Sequence, residues 1–206
     1  MVRLPPSGRV TVEEEDTARV EAWTLTQDGD SSAEGIVWTE LAPRGVIDLD
    51  SLTGDIVGVL AEDTTRIQAR YATLRSNLIT VPVVAAADTI AASEPTRDTV
   101  LAGDTESMPL TVTLLDLTTD PAMSRPLPGR PVRFTLLDTT AGVELVEAPD
   151  STAVTLSTGS GGTAAVRVRR QAGQTAADSV RVEADAVRAA GSIVPGSPVR
   201  FVVFFQ

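Results

Sequence analysis

Apolar and polar residues alternate with period two along most of this 206-residue chain. In the segment GIVWTE, Ile36 and Trp38 fall on one face, and in LTVTLLD, Leu110, Val112 and Leu114 do the same. The segments RIQARY, PVRFTLL, AVRVR and SVRVEA alternate in the same way. Gly, Pro, Asp and Ser separate these segments at intervals of roughly 8 to 12 residues, which is typical of β-sandwiches. The pattern predicts an all-β chain with little helix, and AGQTAADS is its best helical signal.

The final segment, PVRFVVFFQ, is apolar on both faces. Four of its side chains fall on one side, and Val202 and Phe204 make the other side apolar too; the four are Val199, Phe201, Val203 and Phe205. A strand of this kind is expected to be central and packed on both faces, or covered by a neighbour.

The segment VVAAADTIAASEP, residues 83–95, interrupts the alternation with small residues and ends at a proline. It predicts a domain boundary near residue 86, with domains over residues 1–86 and 87–206, each with about seven strands. No Gly/Ser-rich tether occurs there, so the two domains are expected to touch end to end.

Composition excludes several classes of function. The formal net charge is -11, and all 17 basic residues are arginines, so a nucleic acid would meet net repulsion. The chain has no cysteine and no histidine, which removes disulfides, thiolate nucleophiles and the commonest transition-metal ligands. No apolar run is long enough for a transmembrane helix, so membrane insertion is not expected. The first residues lack a secretory signal, so we expect either no export by that route or a signal outside this sequence.

The first half contains a series of motifs that occur in order: Trp38, then Ile47 with Asp48, then Gly54, then Val57–Val59 and Ile67–Ala69. In this order they resemble the bacterial immunoglobulin-like domain of the group 2 kind. The second half, through LTVTLLD, LPGRPVRFTL, TGSGGTAAVRV, DSVRVEA and VRFVVFF, resembles the invasin-like group 1 kind. The resemblance implies two tandem immunoglobulin-like β-sandwiches.

The same resemblance implies a function outside catalysis. Such domains serve as spacers, adhesin stalks or accessory modules of bacterial cell-surface or extracellular proteins, whose partners are other proteins or further copies. A virion structural protein, such as a capsid decoration or tail component, is the alternative, because it uses such folds without an export signal. A carbohydrate-binding accessory module is a second alternative. No nucleophile motif of the G-x-S-x-G kind occurs, so no enzyme activity and no cofactor are expected.

Two aromatic residues are candidates for contact with a glycan or another partner, Trp23 and Tyr71. Trp38 is expected in the core, because it alternates in phase with Ile36. Trp23 is out of phase with Val20 and Ala22, so it is either a second core or bulge position or an exposed contact surface.

Three carboxylates in IDLDSLTGD form the best calcium candidate: Asp48, Asp50 and Asp55. The spacing fails the EF-hand pattern, so a turn capped by Asp and Ser, with Gly54 at positive φ, is the competing interpretation. The acidic loops TQDGDSSAEG and DLTTDP could also bind calcium weakly.

Three further polar segments have simple structural interpretations. EEED, residues 13–16, is expected to be a solvated turn, with an acidic docking patch as the alternative. Arginines 167, 169 and 170 are expected on the solvent face of a strand, and an anionic partner is the alternative. GSGGT, residues 159–163, precedes a period-two segment with no lysine, so it is expected to be a hairpin turn and not a phosphate-binding loop.

Overall fold

The computed structural model describes residues 2–3, 8–25, 27–93, 95–117, 124–138, 142–171 and 178–206. The regular secondary structure of these residues is entirely β-strand, and they contain no helix long and apolar enough to cross a membrane. The candidate helical segment AGQTAADS falls mostly on residues 172–177, outside the described residues. The chain forms two compact units, Met1–Ala86 and Ala87–Gln206.

The described part of the first unit has strands β1 to β11. Their bounds are β1 Val2–Arg3, β2 Val12–Glu13, β3 Thr17–Arg19, β4 Trp23–Leu25, β5 Ser31–Ser32, β6 Val37–Glu40, β7 Ile47–Leu49, β8 Asp55–Gly58, β9 Asp63–Tyr71, β10 Leu74–Arg75 and β11 Ile79–Val84.

The first unit is a sandwich built around a five-stranded sheet. That sheet has the order β10-β9-β11-β2, and β6 pairs with β9. The opposite layer contains the three-stranded sheet β3-β8-β7, and a further small sheet has the order β1-β4-β5. Alternate residues of these strands fill the space between the layers, among them Trp38, Ile56, Ile67 and Val81. Strand β2 pairs with β11 in parallel, so the second strand of the unit runs in the same direction as its last strand.

The described part of the second unit has strands β12 to β22. Their bounds are β12 Thr89–Ala92, β13 Arg97–Val100, β14 Leu110–Asp116, β15 Arg125–Pro126, β16 Pro131–Leu136, β17 Val143–Leu145, β18 Ala153–Ser157, β19 Thr163–Val166, β20 Val168–Arg170, β21 Ser179–Ala186 and β22 Val199–Phe205.

The second unit is also a sandwich with a five-stranded sheet, in the order β13-β22-β21-β16-β18. The other layer contains β12-β14-β15, with β19 paired to β14, and the pair β17-β20. Phe134, Phe201, Leu110 and Leu114 are buried between the layers. Strand β13 pairs with β22 in parallel, which repeats the arrangement of the first unit. Both units are thus immunoglobulin-like β-sandwiches.

The final strand, β22, is central in hydrogen bonding but is not packed on both faces. It pairs with β13 on one side and β21 on the other. Phe201 and Val203 are buried, whereas Phe204 is 38% exposed. The prediction that this strand is packed on both faces or covered by a neighbour is therefore wrong at Phe204, because β22 has lateral neighbours but no layer above Phe204 in the described residues.

The glycine-containing turn does not close a hairpin. Strand β18, before it, pairs with β16, whereas β19, after it, pairs with β14 in the other layer. Gly162 has φ +69, and a Cβ atom there would lie 2.8 Å from the carbonyl oxygen of Leu114. The turn prediction is confirmed, but the chain crosses from one sheet to the other, which requires this close approach of two backbones.

The EEED segment is only partly solvated. Glu13 belongs to β2 and is 1% exposed, whereas Glu15 is exposed and has φ 61. The prediction of a solvated turn is correct for Glu15 and wrong for Glu13, because β2 is a strand of the core sheet.

Candidate functional site

A groove lies beside Trp23 on the surface of the first unit. Its volume is about 360 Å³, and polar and apolar side chains line it in similar measure. Trp23 is 38% exposed at the start of β4, whereas Val20 and Ala22 are buried. Of the two interpretations of Trp23, the structure therefore supports an exposed residue, because strand geometry points it away from the core.

Trp38 also lines this groove and is 4% exposed, which confirms its predicted core position. Gly54 lies against the edge of its ring: a Cβ atom at Gly54 would be 2.8 Å from Trp38 Nε1 and 2.4 Å from the carbonyl oxygen of Val20. Gly54 also has φ +76, so both its backbone conformation and its contacts require glycine. The turn that contains Gly54 therefore packs closely against Trp38 and the backbone of Val20.

The acidic turn next to the groove is internally hydrogen-bonded. Asp50 Oδ1 accepts hydrogen bonds from the amides of Leu52 at 2.8 Å and Thr53 at 3.1 Å. The hydrogen bond from the Leu52 amide is the main reason that the pKa of Asp50 is lowered, and the bond from the Thr53 amide adds to it. Asp55 accepts from the Thr53 hydroxyl at 2.8 Å. The carboxylates of Asp50 and Asp55 are thus engaged in organising the turn.

The three calcium candidates are not arranged around a common metal position. Asp48 is exposed on β7, whereas Asp50 and Asp55 belong to the following turn and strand. Within the described ranges, no group of three acidic side chains could hold a metal ion. In TQDGDSSAEG, Thr26 is outside those ranges, and in DLTTDP residues 118–121 are outside them.

The groove offers an aromatic face together with hydrogen-bonding groups. Leu52, which is 76% exposed, and Thr53 line it on one side, and Ser31 and Ser32 of β5 line it on another. Arg19 also lines the groove and lies 3.8 Å from Asp55. An exposed indole surrounded by hydroxyls and charged groups can stack on a ligand and hydrogen-bond to it.

The structure brings Trp23 together with the turn of Asp50, because Leu52 and Thr53 line the same groove. The sequence did not indicate this, since the two segments are far apart along the chain. Tyr71 does not belong to the groove. It is 40% exposed at the end of β9, and a Cβ atom at Gly35 would lie 3.1 Å from its ring.

Of the three arginines that the sequence singled out in the second unit, two lie in ion pairs. Arg167 lies 3.0 Å from Glu106, and Arg169 lies 2.6 Å from Glu144. Arg170 is 5.3 Å from the ring centroid of Phe205, a cation–π distance. The predicted solvent face is only partly exposed, because all three arginines are half-buried. An anionic partner would have to displace the carboxylates that pair with Arg167 and Arg169.

No protein-family model and no curated protein matches the sequence. Solved structures align over the whole chain at low identity. Domains 4 and 5 of the S-layer protein SbsC align with 16% identity and a TM-score of 0.36, over 100% of this chain and 97% of that chain. The Yersinia pseudotuberculosis adhesin InvE aligns with 17% identity and a TM-score of 0.43, over 100% of this chain and 58% of that chain.

The fibronectin(III)-like modules of Clostridium thermocellum CbhA align with 11% identity and a TM-score of 0.44, over 100% of this chain and 94% of that chain. At these identities the likeness concerns the fold alone. The assignment of the two units to group 2 and group 1 of the bacterial immunoglobulin-like domains stays a prediction.

Proposed function

We propose that this chain is a non-catalytic spacer or stalk segment of a bacterial cell-surface or extracellular assembly. One observation carries the proposal: in both units the second strand along the chain, β2 or β13, is parallel to the last strand, β11 or β22. Chain entry and exit therefore lie at opposite ends of this strand pair, as a segment that extends a polypeptide requires. The alternative of a virion component stays a prediction that no contact in the described residues favours.

Hydrogen bonds join β2 and the residues just before it to β11 in the first unit. The Val10 amide donates to the Thr80 carbonyl at 3.0 Å, the Thr80 amide donates to Gly8 at 3.0 Å, and the Glu14 amide donates to Val84 at 2.9 Å. Tension on the chain pulls parallel strands in opposite directions along their own axes. These bonds are then loaded together in shear, because none can open without sliding the whole strand.

The second unit repeats the arrangement. The Val202 amide donates to the Thr96 carbonyl at 2.9 Å, and the Gln206 amide donates to the Val100 carbonyl at 3.0 Å. Four residue pairs are in register between β13 and β22, from Arg97 opposite Val202 to Val100 opposite Phe205. A load applied through the chain would again act along the paired strands.

Single-molecule force spectroscopy on the full chain tests this proposal. Val10→Pro removes the amide that donates to Thr80, whereas Val10→Ala removes the side chain and keeps the amide. We expect Val10→Pro to lower the unfolding force of the first unit well below that of Val10→Ala, with the second unit as the internal control. Equal forces for the two variants would show that the parallel pair does not carry load.

Surface location needs its own measurement. Antibody labelling and protease treatment of intact cells that express the gene from its own locus are expected to detect the chain outside the cell. Detection only after lysis would exclude the cell-surface assignment, and detection only in purified virus particles would favour the virion alternative.

The groove beside Trp23 favours a second candidate function, the binding of a carbohydrate. Trp23 provides an aromatic face, and Ser31, Thr53 and Arg19 provide hydrogen-bonding groups around it. A glycan array with the full chain is expected to show a signal that Trp23→Ala removes. Tyr71→Ala is the matched control, because Tyr71 is similarly exposed and does not line the groove. A signal that both variants keep, or none with the unmodified chain, would eliminate this candidate.

A further inference from the structure

Strand β18 is an open edge of the five-stranded sheet of the second unit. It pairs with β16 over five residues, from Ala153 to Ser157, and no other strand of the described residues pairs with it. The Leu136 amide donates to the Thr152 carbonyl at 2.7 Å, which fixes the hydrogen-bonding phase of the ladder. Because this phase alternates along an antiparallel pair, every second residue of β18 directs its amide and carbonyl away from β16.

The outward backbone groups belong to Ala153, Thr155 and Ser157, whereas those of Val154 and Leu156 face β16. The side chains of β18 alternate between the two faces of the sheet. Val154 and Leu156 lie opposite the buried Phe134 and Val132, yet both stay half-buried because the sheet ends beside them. The edge thus presents both polar backbone groups that no strand pairs and incompletely covered apolar side chains, a combination that favours the addition of another strand.

The other edge strands of the described residues are shorter than β18, and some of them are also protected. All of them have fewer than five residues. Strand β12 is covered, because its Ile90 amide donates to the Pro195 carbonyl at 3.0 Å. Strand β13 carries Arg97 and Asp98, and β15 contains Pro126. Charges, prolines and covering loops are the devices by which sheets avoid edge-to-edge association, and β18 has none of them.

The sequence around β18 is uncharged. No charged residue occurs between Asp150 and Arg167, in a chain with a formal net charge of -11. Two copies of so acidic a chain repel one another over most of their surface. The neutral segment that contains β18 is therefore where two copies approach at the least electrostatic cost.

We propose that β18 pairs antiparallel with β18 of a second copy of this chain, so that Thr155 lies opposite Thr155 of that copy. This arrangement joins the two five-stranded sheets into one continuous sheet around a two-fold axis. The proposal goes beyond the spacer function and does not depend on it. It concerns side-by-side association of two copies, whereas the spacer function concerns a single chain.

The register is self-complementary. Val154 lies opposite Leu156 of the second copy, and Ala153 lies opposite Ser157, in both directions. Thr155 exchanges two backbone hydrogen bonds with its counterpart, because its amide and carbonyl point outward. The half-buried Val154 and Leu156 cover each other across the new pair, and no like charges face each other. The register that lets the apolar side chains cover each other is thus also the register in which the outward backbone groups form hydrogen bonds.

A local contact moderates the strength of this association. The Ser151 hydroxyl donates to the Ala153 carbonyl at 2.7 Å and accepts from the Ala153 amide at 3.3 Å. It thereby satisfies the outward groups of Ala153 in the free chain. The second copy must displace Ser151 to complete the ladder, so Ser151→Ala is expected to tighten the dimer about tenfold, the equivalent of about one hydrogen bond.

Sedimentation velocity of the full chain over a wide concentration range tests the proposal, with variants at Thr155. The unmodified chain is expected to dimerise as its concentration rises. Thr155→Lys and Thr155→Glu each place like charges opposite each other on the two-fold axis and are expected to be monomeric. An equimolar mixture of these two variants is expected to dimerise again, because the charges are then opposite.

Thermal melting shows whether the Thr155 variants are folded, so that a loss of dimerisation can be told apart from a loss of folding. Thr155 is exposed, so both variants are expected to melt close to the unmodified chain. Restored dimerisation in the mixture also requires both variants to be folded. A chain that stays monomeric at all concentrations, or variants that dimerise as the unmodified chain does, would overturn this proposal and would leave the spacer function unaffected.

Discussion

A Cβ atom on Gly54 would lie 2.8 Å from Nε1 of Trp38. This relationship ties the turn of the candidate site to the core of the first unit, since Trp38 is a core residue that also lines the groove. It also explains why position 54 requires glycine: any larger side chain would collide with Trp38.

Gly54→Ala is therefore expected to destabilise the first unit strongly. The new methyl group would meet the Val20 carbonyl oxygen at 2.4 Å, and φ +76 adds strain. Gly45→Ala is the matched control, because Gly45 has φ +84 and no atom near its Cβ position. The control is expected to cost about 1 kcal/mol and Gly54→Ala about 3 kcal/mol or more, measured by denaturant unfolding. Equal costs would show that the turn relaxes around the methyl group.

The two tryptophans are expected to differ in fluorescence. Trp23→Phe leaves the buried Trp38, whose emission should lie at shorter wavelength and resist quenching by acrylamide. Trp38→Phe leaves the exposed Trp23, whose emission should be quenched readily. Trp38→Ala should also lower the free energy of unfolding by about 3–5 kcal/mol. Equal quenching of the two single-tryptophan variants would contradict the assigned positions.

Asp185→Asn is expected to stabilise the second unit at neutral pH. Partial burial, and secondarily the charge of Glu183, raise the pKa of Asp185, although Arg133 opposes them. Folding then takes up a proton between the unfolded and folded pKa values, so stability falls as the pH rises through that window. The variant should melt above the unmodified chain at pH 7, and the difference should vanish below about pH 4. A lower melting temperature at pH 7 would show that Arg133 outweighs burial.

Asp138→Asn is expected to act in the opposite direction. The side chain of Arg181 donates to Asp138 Oδ1 at 3.0 Å, and this hydrogen bond is the main reason that the pKa of Asp138 is lowered. The stabilisation is present above the unfolded pKa and is lost as the pH falls through the folded one. Melting curves from pH 7 down to pH 2 should show a deficit for the variant that closes towards acid. A constant deficit would point to a packing role for Asp138.

Deletion of residues 199–206 is expected to unfold the second unit. It removes β22, which lies between β13 and β21 and contributes the buried Phe201 and Val203. Calorimetry should then show the transition of the first unit only. A cooperative second transition in the truncated chain would contradict the central place of β22.

Much of each core could be read from the sequence. Strict alternation placed Leu110 and Leu114 in β14 and Val180 and Val182 in β21, and all four are buried. A strand exposes alternate residues to opposite faces, so a period-two pattern fixes the inward residues before any partner is known. Trp38 follows the same rule.

The candidate site could be predicted only in part. The phase of Trp23 against Val20 and Ala22 left an exposed position open, but nothing local connects Trp23 to the turn at Leu52. Their shared groove depends on how β4 and the turn before β8 are brought together. The carboxylates of that turn illustrate the same limit, because a calcium loop and a capped turn use the same residue types, and only the hydrogen bonds of Asp50 distinguish them.

By itself, the sequence determined that this protein is built of β-strands, and which side chains of those strands point inward, because alternation is a local property of an extended backbone. Tertiary structure alone decided which strands pair. It placed β18 and β19 in different sheets on either side of Gly162, buried Glu13 and left β18 as an open edge. Pairing depends on contacts between residues far apart along the chain, and no local pattern of apolar and polar residues records them.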